Sequence, residues 1–184
     1  MRRFFPLLLI VLMFAACASR QQSYPSVSYS SVAQSELIAA SYQSADTLMR
    51  QAGESLSPRH PIIVATLVNL NALEESSPLG RLISEQLGAR FAQQGYKVIE
   101  LKIRQKLYMK RHEGEMMLTR EIRDIAQQHD AQALVIGTYT EGADRVFINL
   151  KLTQIENNIA LAAVDYALPL DMNIRALLYR PAAP

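Results

Sequence analysis

Three kinds of side chain in this sequence could do chemistry: one thiol, three imidazoles and several neighbouring carboxylates. Cys17 is the only cysteine, so it forms no intramolecular disulfide and belongs to no thiolate ligand cluster. His112-Glu113-Gly114-Glu115 begins like a zinc-protease helix, but that motif puts its second histidine where Met116 stands. His60 and His129 are far away in sequence, which leaves no metal-ligand set and predicts no metal. Glu74-Glu75, Glu113 with Glu115, and Asp165 beside Tyr166 could supply the acid and base of glycan cleavage. That reaction needs two carboxylates about 5 to 10 Å apart, whereas such pairs are more often solvated loop charges. No serine sits in a G-x-S-x-G elbow, and Gly95, Gly137 and Gly142 do not assemble into a phosphate loop. These residues predict a protein that is not an enzyme and carries no cofactor.

The most basic stretch is Lys102 to Arg111, where Lys102, Arg104, Lys106, Lys110 and Arg111 surround Tyr108. As an interaction surface it would suit lipid phosphates, lipopolysaccharide or an acidic partner. The plainer reading is a solvated strand edge whose charges discourage unwanted pairing, and it is the commoner one. Met116-Met117 beside Leu118 reads more readily as core filling than as an adaptable contact surface.

The first sixteen residues settle the compartment. Arg2 and Arg3 precede an apolar run from Phe4 to Ala16, interrupted only by Pro6. At thirteen residues that run is a signal peptide rather than a membrane span, which needs about 20. Its end, Phe14-Ala15-Ala16-Cys17, resembles the bacterial lipobox, with phenylalanine where leucine is commoner. The resemblance implies cleavage before Cys17 and acyl chains on its sulfur and on the new amino terminus. Ala18 and Ser19 follow instead of an aspartate that would resemble an inner-membrane retention signal, so the expected site is the outer membrane, with the domain facing the periplasm. Losing residues 1–16 removes Arg2 and Arg3 and leaves 17 basic against 17 acidic side chains. A neutral, exported chain has no electrostatic case for nucleic acid.

Residues 17–34 are rich in serine and glutamine and read as a flexible tether. Its fifteen residues from Cys17 to Ser31 reach at most roughly 50 Å at about 3.5 Å per residue. Residues 35–180 read as one domain. A helix from Ser35 to Ala52 is expected with Ile38, Tyr42, Ala45 and Met49 inside, and a buried strand over Ile62 to Val68. Ser77 caps a helix that starts on Pro78, carries Leu79, Leu82, Ile83, Leu87 and Phe91 on one face, and stops at Gly95. A strand over Tyr96 to Arg104 alternates. A helix with Thr119 near its start carries Leu118, Ile122 and Ile125 on one face. Strands over Ala133 to Tyr139, Val146 to Leu152 and Ile159 to Leu168 precede a short helix begun by Asp171. The early β-α-β units predict parallel neighbours and the late segment a meander. The expected class is therefore α/β, a single domain with a mixed sheet of about five strands and packed helices.

Read together, LGRLISEQLGARFAQQGYKVIELKIR (residues 79–104), GEMMLTREIRDIA (114–126), VIGTYT (135–140) and VFINLKL (146–152) resemble the FlgO family. That family comprises outer-membrane lipoproteins of polar-flagellated bacteria associated with motility. The resemblance covers about residues 60–170 and implies a structural or assembly role at the flagellar base. It also implies partners such as FlgP and FlgT, with self-association among the expectations, and brings no catalytic residue. The inferred architecture resembles the amino-terminal domain of TolB and of lipoproteins that activate peptidoglycan synthases. A synthase activator is therefore the alternative function, and a cell-wall hydrolase using the acidic pairs the third. The short tether argues against a partner in the inner membrane.

Overall fold

The computed structural model describes residues 35–101 and 120–179. Its elements are α1 (Glu36–Ala52), β1 (Ile62–Ala65), β2 (Val68–Asn69), α2 (Pro78–Gln93), β3 (Val98–Leu101), α3 (Arg120–His129), β4 (Ala133–Glu141), β5 (Arg145–Gln154), β6 (Ala160–Pro169) and α4 (Met172–Leu178). The strands form one mixed sheet in the order β3-β1-β4-β5-β6, with the two-residue β2 as a sixth strand beside β4. β1 pairs parallel with β3 and β4, and β2 pairs parallel with β4. β4-β5-β6 is an antiparallel meander. Crossover helices make the first set parallel and tight turns make the second antiparallel, as expected.

Alternation along the strands divides the core in two. Ile62, Val64, Val135, Ile148, Leu150 and Leu152 face α1 and α2, where Leu48, Leu79, Ile83, Leu87 and Phe91 meet them. Ile63, Ala65, Leu134 and Ile136 face the other way, against Ile122 and Ala126 of α3. β4 is therefore covered on both sides and reads as an unbroken apolar run, whereas β5 alternates because one face meets water.

The helix starts were legible from their caps. Ser77 Oγ accepts from the Gly80 amide at 3.2 Å and Asp171 Oδ1 from the Ile174 amide at 2.7 Å, satisfying donors that have no partner within the helix. The Thr119 cap and Leu118 lie outside the described residues.

Two expectations are corrected. In α1 the buried residues are Ser41, Ser44, Ala45, Leu48 and Ala52, a stripe rotated from Ile38, Tyr42, Ala45 and Met49. Ser41 and Ser44 go inside because each hydroxyl donates to the carbonyl four residues back, Leu37 at 2.9 Å and Ala40 at 2.7 Å. Tyr42 stays at the surface, where the Arg90 guanidinium lies 5.5 Å from its ring centroid. Arg90 also holds Asp46 through two bonds of 2.8 Å, joining α2 to α1. The second correction is the strand over Ile62 to Val68, which breaks at Thr66-Leu67. The Leu67 amide donates to Ser84 Oγ at 2.9 Å and its carbonyl accepts from Ser76 Oγ at 2.6 Å. With both backbone groups of Leu67 taken by serines flanking the start of α2, none is left for the sheet ladder.

Tyr166, on β6, offers a test of packing. Its hydroxyl is buried with no hydrogen-bond partner among the described residues. Burial pushes the phenol up to about 12, and the nearby Ser41 hydroxyl gives its proton to the Leu37 carbonyl rather than to the phenol. The unfolded phenol ionises near pH 10 while the folded one keeps its proton, so stability is intact below about pH 10 and falls as pH rises towards about 12. Tyr166→Phe is expected to leave stability near neutral pH unchanged or slightly higher, and to flatten that alkaline loss. Denaturant titrations on both sides of pH 10 check it, and an unchanged pH slope in the phenylalanine form rules it out.

Candidate functional site

Parallel strands leave an open crevice beyond their carboxyl ends, where the chain departs towards the next helix. Here β1 and β4 end at Ala65 and Glu141, β3 is described as far as Leu101, and a cleft of about 920 Å³ lies beyond these residues. One wall is the start of α2, with Ser77, Pro78, Arg81, Ser84 and Glu85. The loop from Asn69 to Ser76 forms another, and Leu178 with Tyr179 at the end of α4 a third.

The loop is held by its own backbone. The Asn69 amide donates to the Glu75 carbonyl at 2.8 Å and the Glu75 amide to the Ala72 carbonyl at 2.8 Å. The Leu70 amide donates to the Tyr139 carbonyl at 2.9 Å, tying the loop to β4. Tyr139 itself is 4% exposed, and its phenol oxygen accepts from the Ser77 amide at 2.7 Å. Gly80 makes this junction sterically feasible, because a Cβ there would lie 2.6 Å from the Leu67 carbonyl oxygen and 2.8 Å from the Tyr139 ring.

Among the described lining residues the charges are mostly negative. Glu74, Glu75, Glu85, Glu100 and Glu141 line the cleft, and Arg81 is the one basic residue among its described lining. The Tyr179 hydroxyl donates to Glu141, and that bond holds the phenol above its ordinary value. Ser76 and Ser84 give their protons to the Leu67 and Gly80 carbonyls, and no histidine lies among the described lining residues, so no serine there has a base beside it. Such a surface can recognise positive charge.

The structure sorts the predicted residues. Glu74-Glu75 does enter the cleft. Asp165 and Tyr166 are successive strand residues on opposite faces, so they form no pair. His60 contacts Asp130, Nδ1 to Oδ2 at 2.8 Å, on the surface, and no metal-binding group of three occurs among the described residues. Cys17, the stretch with Lys102, Arg104, Lys106, Tyr108, Lys110 and Arg111, and Glu113 with Glu115 lie outside the described residues. Glu85, Glu100, Glu141, Tyr139 and Tyr179 were not anticipated. The only linear hint was Glu100 on the polar side of an alternating strand.

Comparison with known proteins agrees with this fold. The family model described as FlgO protein matches residues 42–173, well over half of the chain. No curated protein matches the sequence. Among solved structures, the LpoB C-terminal domain from Salmonella enterica aligns at 12% identity and a TM-score of 0.50, covering 72% of this chain and 98% of that one. The LpoB C-terminal domain from Escherichia coli aligns with the same identity, TM-score and coverage. At that identity the likeness is one of fold alone.

Proposed function

The chain belongs to the FlgO family, and from that membership we propose that it is an outer-membrane lipoprotein serving as a structural or assembly accessory of the flagellar base. The family match over residues 42–173 carries this reading, because it spans the folded domain from within α1 to within α4. Phe14-Ala15-Ala16-Cys17 supports the anchor. The domain does its work by contact: acyl chains on Cys17 keep it beside the outer membrane, where weak contacts with ring or disc proteins such as FlgP and FlgT add up across copies. It performs no reaction, and the acyl chains provide its attachment.

A strain lacking the chain is expected to swim poorly and to build incomplete basal rings, as read on soft agar and by electron microscopy of isolated flagella. Normal swimming with intact flagella would count decisively against the role. Copurification of a peptidoglycan synthase in place of ring proteins would move the chain to the synthase-activator reading. Peptidoglycan clearing that disappears in Glu74→Gln/Glu75→Gln would make it a hydrolase.

A further inference from the structure

We propose that the outer edge of β6 is the seam of a two-fold dimer, in which the stretch from Asp165 to Ala167 pairs antiparallel with the same stretch of a second copy of this chain. This rests on the reading of the chain as an accessory whose weak contacts add up across copies, and names one of those contacts.

β6 is the last strand in the order of the sheet, so one row of its backbone groups points away from β5. The Leu170 amide bonds inward to the Asp144 carbonyl, whereas the Ala163 amide leaves outward to Gln51 Oε1 at 3.1 Å. The β5–β6 register runs without irregularity from Ala163 to Pro169, so Ala163, Asp165, Ala167 and Pro169 all face outward. Both ends of that row are closed. Gln51 holds the Ala163 amide, while Pro169 has no amide and its carbonyl accepts from the Asp171 amide at 2.9 Å. Between these stops the Asp165 and Ala167 amides meet no acceptor among the described residues.

An open edge of this kind takes an extended strand, and the stops fix how a second copy would fit. Centred on Tyr166, each Asp165 amide meets the mate's Ala167 carbonyl and each Ala167 amide the mate's Asp165 carbonyl. A centre on Val164 would need the amide that Gln51 already holds. A centre on Asp165 would set two carboxylates face to face, and one on Ala167 would need Pro169, which has no amide to give. One register remains, and it uses the open groups and no others.

A second feature lies on the same line. α1 packs over β6 in the helix layer that also contains α2. Along its outer flank runs a groove of about 200 Å³, lined by Ala40, Gln43, Ser44 and Thr47 of the helix and by Val164 and Tyr166 of the strand. The Tyr166 hydroxyl oxygen is buried and has no hydrogen-bond partner among the described residues. The two-fold that joins the edges sets α1 beside its mate over this groove, where small side chains such as Ala40 permit close helix packing. The mate's Gln43 and Thr47 then bring polar side chains to a groove that ends on an unpartnered phenol. A second copy continues the sheet and the helix layer together, whereas a lone peptide strand would fill the edge and leave the groove open.

The test is sedimentation equilibrium of the full mature chain with Cys17→Ser, at protein concentrations up to about 1 mM, the order of effective concentration that tethering supplies. A monomer–dimer equilibrium is expected. Ala167→Pro removes an outward amide and no bond to β5, and should weaken the dimer more than about tenfold. Ala163→Pro removes an amide already committed to Gln51 and should change it less than about threefold. Circular dichroism and a denaturant midpoint show whether both variants fold. Disulfide trapping makes the test independent of them: Asp165→Cys and Ala167→Cys forms, mixed and oxidised, should give the mixed disulfide, because the two residues oppose each other at the about 5.5 Å of a hydrogen-bonded pair. Neither form alone should cross-link comparably.

A monomer at every concentration with no mixed disulfide overturns the proposal. Efficient cross-linking of Asp165→Cys to itself does so too, since it moves the centre of pairing. Dimerisation that appears only after residues 17–34 are deleted would give the edge to the chain's own amino-terminal segment. A monomer whose Ala167→Pro form folds yet fails to restore swimming would give it to a strand of another protein, and either result overturns the second copy. A dimer in a protein whose deletion leaves swimming normal keeps the seam and discards the accessory role. A monomer whose deletion abolishes swimming does the reverse.

Discussion

Cys17→Ser is expected to abolish incorporation of labelled palmitate and to remove the protein from the outer-membrane fraction. Swimming should fall to the level of the deletion strain. In the proposed mechanism the acyl chains carry the anchorage, and cleavage before Cys17 would leave 17 basic against 17 acidic side chains. Each buried methylene contributes about 0.8 kcal/mol, which makes a single acyl chain marginal and two or three effectively permanent. Anchorage is therefore close to all or none. Confinement beside the membrane also raises the local concentration of the domain, so a soluble form should lose function even when correctly folded. Fractionation with palmitate labelling, run beside circular dichroism of the serine form, separates these effects. Outer-membrane retention without label, or full swimming from a released form, would end the anchoring mechanism.

Local signals proved more legible than spatial ones, and particular residues show why. Ser77-Pro78 and Asp171 announce helices because a cap is a short-range contact between side chain and backbone, complete within three residues. The run over Ala133 to Tyr139 announced a doubly covered strand because every position in it is buried. The inner face of α1 was misplaced because Ser41 and Ser44 look polar in the sequence. Their hydroxyls are satisfied within the helix and become small core residues. The break after β1 was invisible because Leu67 is apolar and β-compatible. Its backbone is claimed by Ser76 and Ser84, nine and seventeen residues on.

The cleft repeats this lesson on a larger scale. Glu74-Glu75 stood out as a pair, but Glu100 and Glu141 join them only through the parallel registers of β1 with β3 and β4. Those registers are set by the whole core rather than by anything near either glutamate. The basic stretch with Tyr108 at its centre, singled out by its charges alone, belongs to residues that are not described.

Gly137→Ala is expected to destabilise the domain by about 2 kcal/mol, a large share of the stability of a domain this size. Glycine in the middle of a strand ordinarily weakens it, so alanine should help unless something occupies the space. Here the space is taken. A Cβ at position 137 would lie 2.7 Å from Leu150 Cδ2, 2.8 Å from the Asn149 carbonyl oxygen and 2.9 Å from Leu67 Cγ. Leu67 is fully buried in the core against α1 and α2, at the point where the chain leaves the sheet between β1 and β2. The glycine thus accommodates the side chain that accompanies the strand break and the opening of the cleft. Leu67→Ala alone should cost about 3 kcal/mol through lost burial and a residual cavity. Because the new methyl at 137 would enter the space Leu67 vacates, the double variant should cost about 1 kcal/mol less than the sum of the singles. Urea titrations of the four forms measure that coupling. A strictly additive double variant, or a Gly137→Ala domain as stable as the parent, would show that the strand glycine is not there to admit Leu67.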